Sequence, residues 1–169
     1  LKVQKNPKNV QYGKIPINFG YLVKHITQLQ LDTRESLCVG TLGSGVFKGD
    51  LKKANPVFSK LDIVQSAIMS ITSGLEHVFV AVENEGLVIL DMNGSIVKHY
   101  LYDATDNHSI ASDSVWSILL DEENRLWLGY YENGLGFFDQ YHNKFKSLQR
   151  EDDDNSIQTN DITAIARTE

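Results

Sequence analysis

A single cysteine, Cys38, excludes any disulfide within this 169-residue chain. Three prolines are too few for a polyproline linker. No apolar run approaches the roughly 20 residues that a membrane-spanning helix needs. Basic residues are also scarce, 16 Lys and Arg against 22 Asp and Glu, for a net charge of −6. That balance excludes a phosphate-binding surface, which needs clustered cations, so no nucleic-acid partner is expected. The chain opens at Leu1 with no signal-peptide apolar segment, and it reads as a piece of something longer. Any membrane attachment is expected through segments outside this sequence. Helical periodicity is weak throughout. What remains is an ordinary globular composition, 41% apolar and 22% charged.

The dominant feature is an internal repeat. Ser36–Thr41, His77–Val82 and Arg125–Tyr130 align without gaps, and each is followed at the same distance by a glycine that opens a second apolar run. Those runs are Gly45–Asp50, Gly86–Asp91 and Gly134–Asp139. A third run precedes each pair, at Ile26–Leu31, Ile68–Ser73 and Val115–Leu120, and a further copy begins at Ile162. The connectors repeat as well: Asp106-Asn107-His108-Ser109-Ile110 leads to Asp113 and Val115, and Asp154-Asn155-Ser156-Ile157 leads to Asn160 and Ile162.

Each unit reads as four short strands, the clearest set being Val115–Leu120, Arg125–Tyr130, Gly134–Asp139 and Lys144–Leu148. Asn133-Gly134 signals a tight hairpin requiring positive φ. Asp50, Asp91 and Asp139 enter the following turns, where a carboxylate accepts from backbone NH groups downstream. In the second strand both faces are apolar or small. Leu37/Val39, Val78/Val80 and Leu126/Leu128 lie on one face, and Cys38/Gly40, Phe79/Ala81 and Trp127/Gly129 on the other. A sheet with one wet face would alternate apolar with polar, so these strands are buried on both sides, between neighbouring units. Four-stranded units spaced by 41 residues (Ser36 to His77) and 48 (His77 to Arg125) predict an all-β fold of β-propeller blades. The expected division of residues 1–169 is the end of a preceding blade (1–25), blades at 26–66, 67–113 and 114–160, and the start of another at 161–169. Residues 14–24, with Ile15, Ile17 and Phe19 alternating, are expected as the last strand of that preceding blade. Open blade faces at the ends predict completion by the rest of a propeller or by a second copy, most simply as a twofold homodimer.

Ser114-Val115-Trp116-Ser117-Ile118-Leu119-Leu120-Asp121, followed by Leu126-Trp127-Leu128-Gly129 and Asn133-Gly134-Leu135, resembles the two-component regulator propeller repeat. The connector at Ser156–Ile162 matches it too, and the resemblance covers roughly residues 26–166, most strongly 106–166. It implies the periplasmic sensor region of a hybrid histidine kinase, with glycans or glycan fragments as the signal. The departures are Tyr130, where Thr is usual, and the absence of the tryptophan from the first two units.

Little in the chain points to chemistry. Gly43-Ser44-Gly45 has the wrong spacing for a nucleophile elbow and falls at a hairpin that recurs without serine. Cys38 aligns with Phe79 and Trp127, a packing position where burial disfavours a thiolate. The five histidines are scattered, with no metal-ligand spacing, and the acidic run Glu151–Asp154 lies in a connector and reads as solvated. No catalytic, metal or cofactor site is expected. The candidate ligand surface is Tyr130, Tyr131, Glu132 and Asn133 at one hairpin, with Asp103, Asp106 and His108 from a connector on the same face, and Trp116 near the axis. Aromatic rings beside carboxylates and amides suit an oligosaccharide. The expectation is therefore a ligand-sensing module. The alternatives are a scaffold for protein–protein contact and, with less support, a propeller hydrolase or lyase.

Overall fold

The computed structural model describes residues 26–63, 66–139, 144–151 and 156–166. The expected strand at 14–24, the turn Gln140–Asn143 and the acidic residues Asp152–Asp154 lie outside them. Among the described residues there is no helix, and twelve strands form three four-stranded antiparallel sheets, each built from consecutive sequence. The first blade is β1 (Ile26–Leu31), β2 (Ser36–Thr41), β3 (Val46–Asp50) and β4 (Ser59–Lys60). The second is β5 (Ile68–Ser73), β6 (His77–Val82), β7 (Gly86–Asp91) and β8 (Ile96–Tyr100). The third is β9 (Val115–Leu120), β10 (Leu126–Tyr130), β11 (Leu135–Asp139) and β12 (Lys144–Leu148). This is the propeller-like arrangement that the repeat predicts. The sequence pattern did not show β4 and β8. In β8 only Tyr100 is even partly buried, so no alternation of apolar and polar residues marks it.

The blades stack through their first strands, with β1 against β5 and β5 against β9. Residues of β6 are buried on both sides. Val78, Val80 and Val82 pack toward the first blade with Cys38, Val46 and Ile68, while Phe79 and Ala81 pack toward the third with Leu126, Leu128 and Ile118. Gly129 shows why a small residue recurs in this strand, because a Cβ there would meet the Ser117 hydroxyl and the Ile162 side chain. Trp127 departs from expectation. It is half-buried rather than a fully covered seam residue, because the face beyond it carries, among the described residues, only the segment at Ile162, which forms no strand, and no complete blade. Its ring leans on Phe137, with centroids 5.2 Å apart, and its indole NH donates to Asp121.

Every first strand carries the same irregularity. Ile26, Ile68 and Val115 pair with Thr41, Val82 and Tyr130, and pairing resumes two residues later at Gln28, Ser70 and Ser117 opposite the very next residue back. Thr27, Met69 and Trp116 are thus the extra residues of β-bulges, which re-aim a side chain and bend the strand.

Aspartates close many of the turns. Asp50 accepts from the Lys52 NH, and Asp91 from Asn93 and Ser95, as the sequence suggested. Asp32 and Asp121 do the same in the first turn of blades one and three.

Candidate binding face

One end of the blade array is built from the second-to-third-strand hairpins and the long connectors laid over them. The connectors are clamped by a repeated device. Gly86 NH donates to the Asp113 carbonyl and Gly134 NH to the Asn160 carbonyl. The side chains of the same two acceptors take the NH of Tyr102 and of Arg150. Gly134 has φ 73°, and a Cβ there would collide with the Leu148 carbonyl, so glycine is required for this close approach.

The hairpin that carries the candidate residues holds a strained backbone. Positive φ falls on Glu132 (61°) and Gly134, not on the Asn133 that the sequence suggested. Gly43 and Asn84 occupy the same position in the other two hairpins with positive φ. Glycine and asparagine enter the left-handed region at low cost, whereas glutamate does so uncommonly. The Glu132 NH is held by the Asp161 carboxylate at 3.0 Å.

Tyr131 and Trp116 come together. Their rings stack with centroids 4.7 Å apart and planes 20° from parallel. Tyr131 stays 42% exposed, so the stack presents aromatic surface to solvent. The neighbouring Glu132 charge and its hydrogen bond to the phenol raise the Tyr131 pKa above the ordinary tyrosine value. Ser114 donates to the Asn84 side chain at 2.8 Å, bringing polar groups of the second blade to the same end.

Tyr130 does not belong to this surface. It is 1% exposed, its ring packs over Gly136, and its oxygen is bonded by the Ala111 backbone. Burial pushes its phenol well above the usual range. Strand alternation turns adjacent side chains to opposite sides, which puts Tyr130 in the seam and leaves Tyr131 outside. Its counterpart Thr41 caps its own hairpin through the Gly45 carbonyl instead.

The connector residues form a separate feature. Asp103, Asp106 and Asn133 share an open depression of about 350 Å³ with Ser147 and Gln149. The Asp103 carboxylate is already engaged by the Thr105 hydroxyl and NH, which hold its pKa below the usual carboxylate range. His108 lines a neighbouring groove with Lys144 and Lys146, its Nδ1 3.5 Å from Asp106. The candidate residues therefore share an end of the molecule but divide between an aromatic platform of Trp116 and Tyr131, a polar depression that takes in Asn133 of the hairpin, and the groove at His108. Asp161, Ser114 and Asn84 were missed as site residues, although the matched connectors ending at Asp113 and Asn160 pointed to their neighbourhood.

The fold and this face define a propeller-like blade array with an aromatic platform flanked by acids at its connector end. Solved structures share that fold at low identity. The extracellular domain of the putative hybrid two component system BT4673 from B. thetaiotaomicron matches with TM-score 0.64 and 15% identity over 82% of this chain. The corresponding domain of BT3049 from the same organism matches with TM-score 0.62 and 18% identity over 74% of it. This chain spans only 20% and 18% of those two domains. The computationally designed Ika4 protein matches with TM-score 0.65 and 12% identity, over 94% of this chain and 89% of its own. No family model and no curated protein matches the chain.

Proposed function

We propose that this chain is the ligand-recognition part of an extracytoplasmic, periplasmic two-component sensor and that its connector face binds an oligosaccharide without covalent chemistry. The observation that carries this reading is the Trp116–Tyr131 stack, open to solvent and flanked by acidic groups. Apolar sugar faces pack on aromatic rings, while sugar hydroxyls donate to carboxylates such as those of Glu132 and Asp161. The strained Glu132 and its tie to Asp161 hold the platform in place before ligand arrives, which lowers the ordering cost of binding. The low-identity likeness to extracellular two-component domains agrees with this setting.

A glycan array followed by calorimetry tests the proposal. Tyr131→Ala is expected to weaken binding of a captured glycan at least tenfold, about 1.4 kcal/mol, while Tyr130→Phe leaves it unchanged. An array with no captured glycan, or full affinity in Tyr131→Ala, would overturn it.

A further inference from the structure

At the opposite end of the array, where first strands turn into second strands, one seam is closed by an ion pair and the other borders a cavity. Between the first and second blades that place is occupied by an ammonium group. Lys48 Nζ lies 2.7 Å from Asp32 Oδ2 and 2.7 Å from the Met92 carbonyl of the next blade. Between the second and third blades neither group is present. The strand register puts Gly74 where Asp32 stands and Ile89 where Lys48 stands, and the β5–β6 turn is one residue shorter than the β1–β2 turn. Gly74 lines an open cavity of about 210 Å³, with His77 and Asn124 also on its wall.

Its walls suit a cation on an apolar stem. Phe79 and Leu120 supply apolar surface, Leu120 reaching from the third blade to within 3.0 Å of where a Gly74 Cβ would sit. Leu75, 77% exposed, stands at the rim. Glu76 provides a carboxylate, and the Phe79 ring, with the His77 ring 6.3 Å from it, an aromatic wall of the kind that attracts ammonium groups. In the neighbouring seam a lysine ammonium sits beside Asp32, the counterpart of Gly74 on this cavity's wall.

We propose that this cavity binds a primary alkylammonium group, carried by a small amine or by a lysine side chain of a partner protein. The site is independent of the connector face, so the two readings fail separately. The test is NMR titration of the ¹⁵N-labelled 169-residue chain with butylammonium chloride, n-butanol and an end-blocked Gly-Lys-Gly peptide. Butylammonium is expected to shift the amides of Gly74–Phe79 and Leu120–Asn124, with butanol at least tenfold weaker. Glu76→Gln, a change on an exposed residue, should reduce the butylammonium response about tenfold while leaving the rest of the spectrum in place. A stronger response to the peptide than to butylammonium would assign the site to a protein lysine; the reverse order would assign it to a free amine. Equal responses to butylammonium and butanol, shifts elsewhere only, or an unaltered response in Glu76→Gln would overturn the proposal.

Discussion

The two blade seams follow one backbone plan and are sealed by different chemistry. The seam between blades one and two is aliphatic, with Ile68, Ile71, Val80, Val82, Val88 and Leu90, and is closed at one end by the Asp32–Lys48 pair. The seam between blades two and three is aromatic, with Phe79, Tyr130 and Phe145 buried in it. Tyr100 and Phe145 meet edge to face at 4.9 Å, and Phe138 joins them at 4.7 Å from Phe145. In the first seam shape is filled by branched side chains and one satisfied charge pair. In the second, large rings fill most of the space, Ile89 takes the place of the lysine, and Gly74, in the place of Asp32, lines an open cavity. A repeat therefore specifies where a seam lies but not what fills it. Aliphatic packing and aromatic packing reach similar burial because both remove apolar surface from water, the non-directional part of the driving force.

The largest effect is expected from breaking the charge pair. The Asp32 side chain is 0% exposed, so Lys48→Ala leaves a buried carboxylate without its cation and should cost about 3–5 kcal/mol in urea denaturation. Burial alone would raise the Asp32 pKa, but the Lys48 ammonium and the Ser36 and Arg34 NH groups outweigh it and hold it below 3.8. The unfolded chain thus takes up the proton at higher pH than the folded one. The stabilisation is present above 3.8 and is lost as pH falls through the lower folded value. In Lys48→Ala the acid loss should begin at higher pH, and melts between pH 2 and 6 would show it. An unchanged acid profile would mean that the pair does not govern this seam.

Phe79→Ala should cost about 3 kcal/mol by leaving a cavity in the aromatic seam. No shift of the acid profile should accompany it, which separates the two seams. Trp127→Ala should cost less, about 1–2 kcal/mol, because the ring is half-exposed and loses mainly its contact with Phe137 and its bond to Asp121. A cost equal to that of Phe79→Ala would indicate that this face is covered in solution. The smallest effect is expected at the connector face, where Tyr131→Ala should change stability by no more than about 0.5 kcal/mol while weakening binding of a captured glycan at least tenfold. Tyr130→Phe should show the reverse, a loss of about 1 kcal/mol from its hydrogen bond with binding intact. Cys38 is 0% exposed, and burial pushes its thiol up to about 11, so native protein should resist thiol reagents that label the urea-unfolded chain.

The strands of the repeat were legible because period-two patterning and turn residues are local. β2, β6 and β10 fall within a residue of the positions read from their apolar runs, and β1, β5 and β9 on them. β4 and β8 were not read, since Ser59–Lys60 is only two residues long and β8 is mostly exposed. The candidate site was legible only as a region. Tyr130 and Tyr131 look equivalent in a list of residues, yet one fills a seam and the other faces solvent. Only strand pairing, with Tyr130 opposite Val115 across the bulge, separates them.

Amino-acid order by itself determined the unit, its first three strands, the two-sided burial of the second strand, and the end of the molecule where connectors gather. Each of these follows from alternation, glycine placement and spacing along the chain. Tertiary structure decided which aromatic rings meet. Trp116 lies on β9 and Tyr131 in the hairpin after β10, and they stack because the bulge in β9 turns the indole toward that hairpin. It also decided that Glu132 carries the left-handed backbone, tied to Asp161 from the far side of the blade's own sequence. The lysine that ties Asp32 to the Met92 carbonyl of the next blade is placed in the same way. Those features join residues 15 to 44 apart in sequence, and no local pattern records such distances.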